Sequence, residues 1–342
     1  MKNKIFEGWG IKVSIILIIA LLAGSAIFYF GAKNFYPDFS AIKNYPIDFE
    51  ISSGSGLNEI TDNIYYSGLI RSKFFFKIYA IAVGAASRLQ AGNYEIKFPV
   101  SVAEIIKILK NGPVEIEATI IPGMTLKEID DYFSKLKIIK SNSLIYYGGF
   151  DKLKQRYRFL EGVKNLEGFL LPDTYRFYMG SDVDFVVDKI LNNFKTKTES
   201  FFSSVNNANL KKILIFASFL EKESPDYEDR KIIAGIFEKR LKIGMPLQID
   251  ATVIYAKCFG KFLNCPTLKS LDFKLDSDYN TYYYKGLTPT PISNPDLKAI
   301  KAVLEKTNSR YWYYLSDPKT KKIIFAINLD DHNKNRAKYL SP

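Results

Sequence analysis

The chain has 342 residues, enough for more than one domain of ~50–250 residues, and a formal net charge of +12. Its Lys and Arg are spread along the chain with no basic block or nucleic-acid module, so nucleic acid is not expected as a partner. A single histidine, His332, and two cysteines exclude a multi-His metal centre and a four-ligand Cys or Cys/His zinc site. A Ser-His-Asp triad would have to pass through His332. No metal or other cofactor is expected, and acid–base work falls to carboxylates.

Val13–Ala32 (VSIILIIALLAGSAIFYFGA) carries no charge, and ~20 such residues cross a bilayer core. Lys2, Lys4 and Lys12 precede it, which by the positive-inside rule leaves residues 1–12 in the cytoplasm and everything after Lys33 outside. The competing reading is a signal peptide cut among Ala23–Ala26. Apolarity continues through Ile27–Phe30, too long for a signal core, and this favours a retained inner-membrane helix at 13–32. A linker is expected over 33–45.

A pattern then recurs: Gly56-Leu-Asn-Glu59-Ile60, Ser101-Val-Ala-Glu104-Ile105 and Thr125-Leu-Lys-Glu128-Ile129. In the last two, a hydroxyl residue three positions before Glu predicts a capping box. Each follows an extended segment (47–52, 92–98, 114–121), with Gly112-Pro113 and Pro122-Gly123 as turns, so small strand–helix units are expected. Lys73–Ala86, with Phe74, Phe75, Ile78, Ile81 and Ala82, is apolar on most sides and reads as a core helix. Ser141–Arg158 reads as a variable helical segment. Leu166–Phe177 (LEGFLLPDTYRF) places Pro172, Asp173 and Thr174 in a rigid turn between apolar shoulders. Val183–Phe202 reads as an amphipathic helix.

Ile213–Ser224 (ILIFASFLEKES) is an oily helix that closes in two acids. At about 100° per residue, Glu223 shares a face with Phe216, Phe219 and Leu220, and Glu221 follows Leu214, Ala217 and Ser218. The carboxylates point apart. Pressed against phenylalanines, Glu223 would lose hydration and hold its proton toward neutral pH, as a general acid must. The plain alternative is a pair of solvated helix-end residues. Asp226 caps a further helix with Ile232, Ile233, Ile236, Phe237 and Leu241 at helical spacing, stopped by Gly244 and Pro246. In Leu247-Gln248-Ile249-Asp250, Asp250 is placed to cap Ala251–Lys257, or with Gln248 to hold a sugar. Cys258 and Cys265 bracket a short loop as either a disulfide or two thiols. Tyr279-Asn280-Thr281-Tyr282 and Gly286–Pro295 (GLTPTPISNP) form an aromatic, hydroxyl-rich loop stiffened by prolines, with Asn294 and Pro295 as N-cap and first residue of a helix through Leu304. A hairpin over 311–328 and a last helix opened by His332 complete the chain.

Taken together, Glu167–Phe177, Ala217–Ser224, Leu247–Tyr255, Tyr279–Tyr282 and Gly286–Pro295 resemble the YceG-like, endolytic murein transglycosylase family, over nearly the whole chain. The resemblance implies an α+β chain: one transmembrane helix, a LysM-like βααβ region at 46–122, and a mixed α/β catalytic domain at 123–342. It selects Glu223, the second acid of Glu-Lys-Glu, as the catalytic residue, with Glu221 and Ser224 in support. Candidate contacts to the glycan are Gln248, Asp250, Tyr279, Asn280 and Thr281, joined by Glu167, Asp173, Thr174, Pro289 and Asn294. Ile249, Ala251, Thr288 and Thr290 depart from the family pattern and affect only the expected loop shape. The implied reaction cuts peptidoglycan strands internally without water. Protonated Glu223 donates to the MurNAc–GlcNAc oxygen, then takes the proton of the C6 hydroxyl to leave a 1,6-anhydro end. Implied partners are glycan strands, the membrane and the peptidoglycan synthases. Rival readings are a hydrolase whose second carboxylate is Glu167, Asp173 or Asp250, and a non-catalytic wall-binding or division scaffold.

Overall fold

The computed structural model describes residues 2–35, 45–202 and 205–340, so most of the expected linker at 33–45 lies outside the described residues. Two compact units divide at 115/116.

The first unit carries α1 (Lys2–Phe35), within which Ile15–Phe35 is long and apolar enough to cross a membrane. Strands β1 (Ile47–Ile51) and β2 (Gly92–Ile96) pair antiparallel, Phe49 opposite Tyr94 and Ile47 opposite Ile96. Between them run α2 (Leu57–Tyr66) and α3 (Lys73–Ala82), a βααβ arrangement, followed by α4 (Val102–Asn111). Strand alternation turns Phe49, Ile51, Tyr94 and Ile96 onto Ile60, Ile64, Phe76, Ile105 and Leu109, which form the core. The expected core helix at 73–86 differs from α3 in two ways. It stops at Ala82, before Gly84 at φ +64°, and only Phe76 and Ala80 of its residues are buried. Apolar composition cannot distinguish a side chain that faces the core from one that faces outward.

In the second unit, β3 (Glu115–Thr119) pairs with β4 (Thr174–Tyr178). Thr119 faces Thr174 and Glu117 faces Arg176, so these strands run antiparallel. Helices α5 (Leu126–Lys135) and α6 (Phe150–Arg156) lie between them; α7 (Val183–Phe202), α8 (Asn207–Glu223), α9 (Tyr227–Lys242), α10 (Asp250–Lys257) and α11 (Leu297–Leu304) follow, then the hairpin β5 (Tyr313–Ser316)–β6 (Ile323–Ala326) and α12 (Leu329–Tyr339). Both expected capping boxes form, at Ser101/Glu104 and Thr125/Glu128. The third strand–helix repeat thus opens the second unit. Every residue of α8 from Leu214 to Leu220 is buried, and this helix forms the spine of the core with α9 and α11 packed on it.

The starts of the last two helices differ from expectation. Asp296, not Asn294, caps α11, accepting from Ala299 N at 2.6 Å, and α12 begins a turn before His332, capped by Asn328. The His332 ring stacks on Tyr313 at 5.2 Å, and burial lowers its pKa. Its role is structural. Gly235 in α9 lets the chain beyond α11 approach: a Cβ there would lie 2.0 Å from the carbonyl oxygen of Thr307. Gly235→Ala gains about 1 kcal/mol of helix propensity and loses about 1–3 kcal/mol or more to overpacking against backbone. The clash wins, so thermal melts should show a lowered Tm, and an unchanged one would contradict this contact.

Candidate active site

Helix α8 ends in three successive polar side chains that leave in three directions. Glu221 is buried against Arg230, whose Nη2 donates to it at 2.8 Å, while the amide of Asp296 donates to its other oxygen at 3.0 Å. Burial pushes its carboxyl pKa up, opposed by the Asp296 amide and the Arg230 guanidinium. Arg230 also reaches the carbonyl of Ser224 at 2.6 Å, and Ser224 Oγ accepts from Asp226 N at 3.1 Å, so the exit from α8 is pinned. The ammonium of Lys222 lies 3.7 Å from the centre of the Phe262 ring.

Glu223 turns the third way, toward the hairpin. It is half-buried, so it remains reachable from solvent. The phenol of Tyr314 lies beside its carboxyl and favours the ionised form. Burial pushes its pKa up to about 7; the charge of Asp250 adds to this and the Tyr314 phenol opposes it. Phe216, Phe219 and Leu220, which share its helical face, are all 0% exposed in the core. Phe237 of α9 touches Phe216 (5.5 Å), Phe219 (5.9 Å) and Tyr314 (6.2 Å), carrying the core up to the acid.

Asp250 does not cap α10. Ile249 occupies the N-cap position without a side-chain bond, and Asp250 is the first helical residue. Its exposed carboxylate instead accepts from the Tyr282 hydroxyl at 2.5 Å. The turn before it is held by Thr281, which is buried: its carbonyl accepts from Gln248 N (3.1 Å), and its hydroxyl accepts from Ile249 N and meets Thr252, both at 2.9 Å. Gln248 sits at φ +54°, a left-handed conformation uncommon for non-glycine residues that often marks a functional turn. Asn280, 0% exposed, has its amide taken up by the carbonyls of Phe273 and Leu275, and its Oδ1 accepts from Tyr282 N. Asn280 and Thr281 therefore shape the wall that aims Tyr282 and Asp250, rather than opening to the site. Tyr279 packs on Tyr255 at 4.9 Å and bonds Thr290 at 2.8 Å. Pro289 is exposed beside them.

A second buried carboxyl must be distinguished from Glu223. Glu167 is pushed up to about 8 by burial, higher than Glu223, so a raised pKa alone would choose it. Geometry excludes it: it is 2% exposed and ringed by donors, Leu126 N at 2.9 and 3.1 Å, Asn294 Nδ2 at 3.1 Å and the Tyr255 hydroxyl at 3.1 Å. Asn294 Oδ1 in turn accepts from Gly168 N and Leu170 N, both at 2.9 Å. This work across the fold is why Asn294 is not the cap of α11. Glu167 and Asn294 form a clasp joining the 166–171 loop, the start of α5 and the proline-rich loop. Asp173 is paired with Lys197 and Asn193 of α7, both at 2.7 Å, and Thr174 with Thr119. Among the described residues, no contact brings Asp173 or Thr174 to Glu223.

Tyr314, Tyr282 and Arg240 are absent from the sequence-based candidates. Arg240, 4% exposed, donates to the carbonyls of Leu247 (2.8 Å) and Trp312 (2.9 Å), tying α9 to both the Asp250 turn and the hairpin. It was findable as a cation three and seven residues beyond Phe237 and Ile233 on the buried stripe. Tyr314 was not, because its value lies in a contact across the fold. Cys258 and Cys265 form a disulfide, closing the loop that follows α10.

The YceG-like family model matches residues 49–338. The endolytic murein transglycosylase of Bacillus subtilis (strain 168) is 30% identical over 344 residues, covering 94% of this chain and 92% of that protein. That of Streptococcus pneumoniae (strain D39) is 28% identical over 361 residues, covering 96% of this chain. The chain spans 65% of the length of that pneumococcal relative. The crystal structure of a YceG-like protein from Listeria monocytogenes is similar with a TM-score of 0.56 at 28% identity, over 84% of this chain and 98% of that one.

Proposed function

The chain belongs to the YceG-like family, and from that premise we propose that it is an endolytic peptidoglycan lytic transglycosylase with Glu223 as its acid and base. The observation that carries this is the half-buried Glu223, raised to about 7 and set among Tyr314, Asp250 and the Phe237 floor. A carboxyl near pH 7 can be protonated when it meets substrate and basic after it has donated. Glu223 protonates the MurNAc–GlcNAc oxygen as that bond breaks. The Tyr314 phenol then donates to the carboxylate that forms. Asp250, held by Tyr282, supplies negative charge beside the oxocarbenium-like centre. Glu223 finally takes the proton of the sugar's own C6 hydroxyl as it closes on C1, giving a 1,6-anhydro end.

The site narrows the hydrolase alternative. Glu167 and Asp173 are committed to structural bonds, leaving Asp250 as the carboxylate that could serve water. Digestion of uncrosslinked glycan strands with mass analysis of the ends separates the two readings: anhydro ends support the lyase, and reducing MurNAc ends overturn it. Tyr314→Phe removes the phenol that holds the Glu223 pKa down, so the alkaline limb of the rate profile moves to higher pH. A limb that stays in place would remove Tyr314 from the mechanism.

Around this chemistry, Ile15–Phe35 anchors the chain in the cytoplasmic membrane with its N-terminus inside, as the lysines before it favour. The βααβ unit is LysM-like and holds glycan, and the catalytic unit works outside on nascent strands beside the synthases. Gln248 and Tyr279 line the approach to the acid, with Pro289 at the edge of the same loop.

A further inference from the structure

Helix α3 is apolar around most of its circumference, and the core accounts for only part of it. At about 100° per residue its side chains fall into three stripes. Phe76 and Ala80, both 0% exposed, face the core. Phe75 and Tyr79 face α1, with ring centroids 6.3 Å from Phe30 and 5.4 Å from Phe35 respectively. Phe74, Ile78 and Ile81 form the third stripe and are 66%, 49% and 62% exposed. Three large apolar side chains on one face mark an interaction surface.

The contacts with α1 fix the height of this stripe. Phe30 lies within the membrane-length span Ile15–Phe35, and Phe35 ends it. The two are about 7.5 Å apart along the helix at ~1.5 Å per residue. A stripe level with them stands where the span leaves the hydrocarbon. Phe75 pairs with Phe30 and Tyr79 with Phe35, so the N-terminal end of α3, where Phe74 sits, lies nearest the bilayer. Lys77 flanks the stripe, and a lysine stem can lie along apolar surface while its ammonium meets lipid headgroups.

We propose that the Phe74–Ile78–Ile81 face beds into the headgroup–acyl boundary of the membrane that α1 spans, as a second attachment beside the anchor. This rests on the reading of α1 as a membrane span. With two attachments, the first unit cannot swivel about a single helix and keeps one face toward the lipid.

The test uses the full chain in vesicles of phosphatidylethanolamine and phosphatidylglycerol with brominated acyl chains, in a background carrying Trp9→Phe and Trp312→Phe. Phe28→Trp, Phe74→Trp and Ile78→Trp each add one fluorophore, and all three positions are exposed. Phe74→Trp emission should fall by about half with bromine near the headgroup end of the chain, the ~5–10 Å depth of an interfacial apolar face. Ile78→Trp should be quenched less. Quenching of Phe28→Trp with neither of the others affected overturns the second attachment and leaves the anchor standing. No quenching of Phe28→Trp removes the anchor reading, and this proposal falls with it.

Discussion

Glu223→Gln should abolish glycan cleavage while leaving a folded protein. The amide is close to isosteric with the acid but can neither donate the proton nor recover one. A single general acid or base contributes on the order of 10²–10⁴-fold, and here one side chain serves in both steps, so the loss should reach at least the upper part of that range. End-group counting by mass spectrometry on uncrosslinked strands measures it, and a variant that still makes anhydro ends at near-native rate would refute the assignment. A stability signature accompanies the loss. The folded pKa of Glu223 lies above its ordinary value of 4.5, at about 7, so the folded state holds a proton that the unfolded chain releases first. That linkage makes stability fall as pH rises from 4.5 through 7. Glu223→Gln removes this dependence. Its stability relative to the native chain should therefore be greater above pH 7 than below 4.5, as read by denaturant titration at the two pH values. Glu167 contributes a similar slope to both proteins and cancels.

Arg230→Ala should unfold the protein more readily than any surface change. Both side chains of the Arg230–Glu221 pair are 6% exposed, and breaking a buried pair by deleting one partner costs about 3–5 kcal/mol, because the remaining charge is left without a counterion or water. The same deletion frees the carbonyl of Ser224, one residue beyond the acid. Urea titration at neutral pH measures the loss, and a change below about 1 kcal/mol, the range of a solvated pair, would show that the pair is not buried in solution. The deficit should shrink in acid, where the stranded Glu221 can take up a proton.

Local signals in the sequence translated well into structure. The capping boxes at Ser101 and Thr125 formed as read, because an N-cap and its Glu lie within one turn and need nothing from the rest of the fold. The divergence of Glu221 and Glu223 also followed from helical geometry alone. Asp250 and Asn294 show where such reading ends. A short polar residue just before a helix has the same local pattern whether it caps that helix or bonds elsewhere. Tyr282 for the one, and Glu167 with the 168–170 amides for the other, lie too far along the chain for pattern to reveal. Tyr314 was invisible for the same reason: strand alternation places it on a face but does not say what that face meets. The outward stripe of α3 is the reverse case, since its composition is that of a buried helix and only its neighbours distinguish it.

The clasp around Glu167 has a consequence for the order in which the molecule comes together. Glu167 and Asn294 are separated by 127 residues, and Glu221 and the amide of Asp296 by 75. Closing such loops is slow compared with forming the helices they connect. The wall of the site and the support of the acid thus depend on contacts between distant parts of the chain. Helices can therefore form from local sequence before the wall around Glu223 is closed, because that wall is built from segments far apart in the chain.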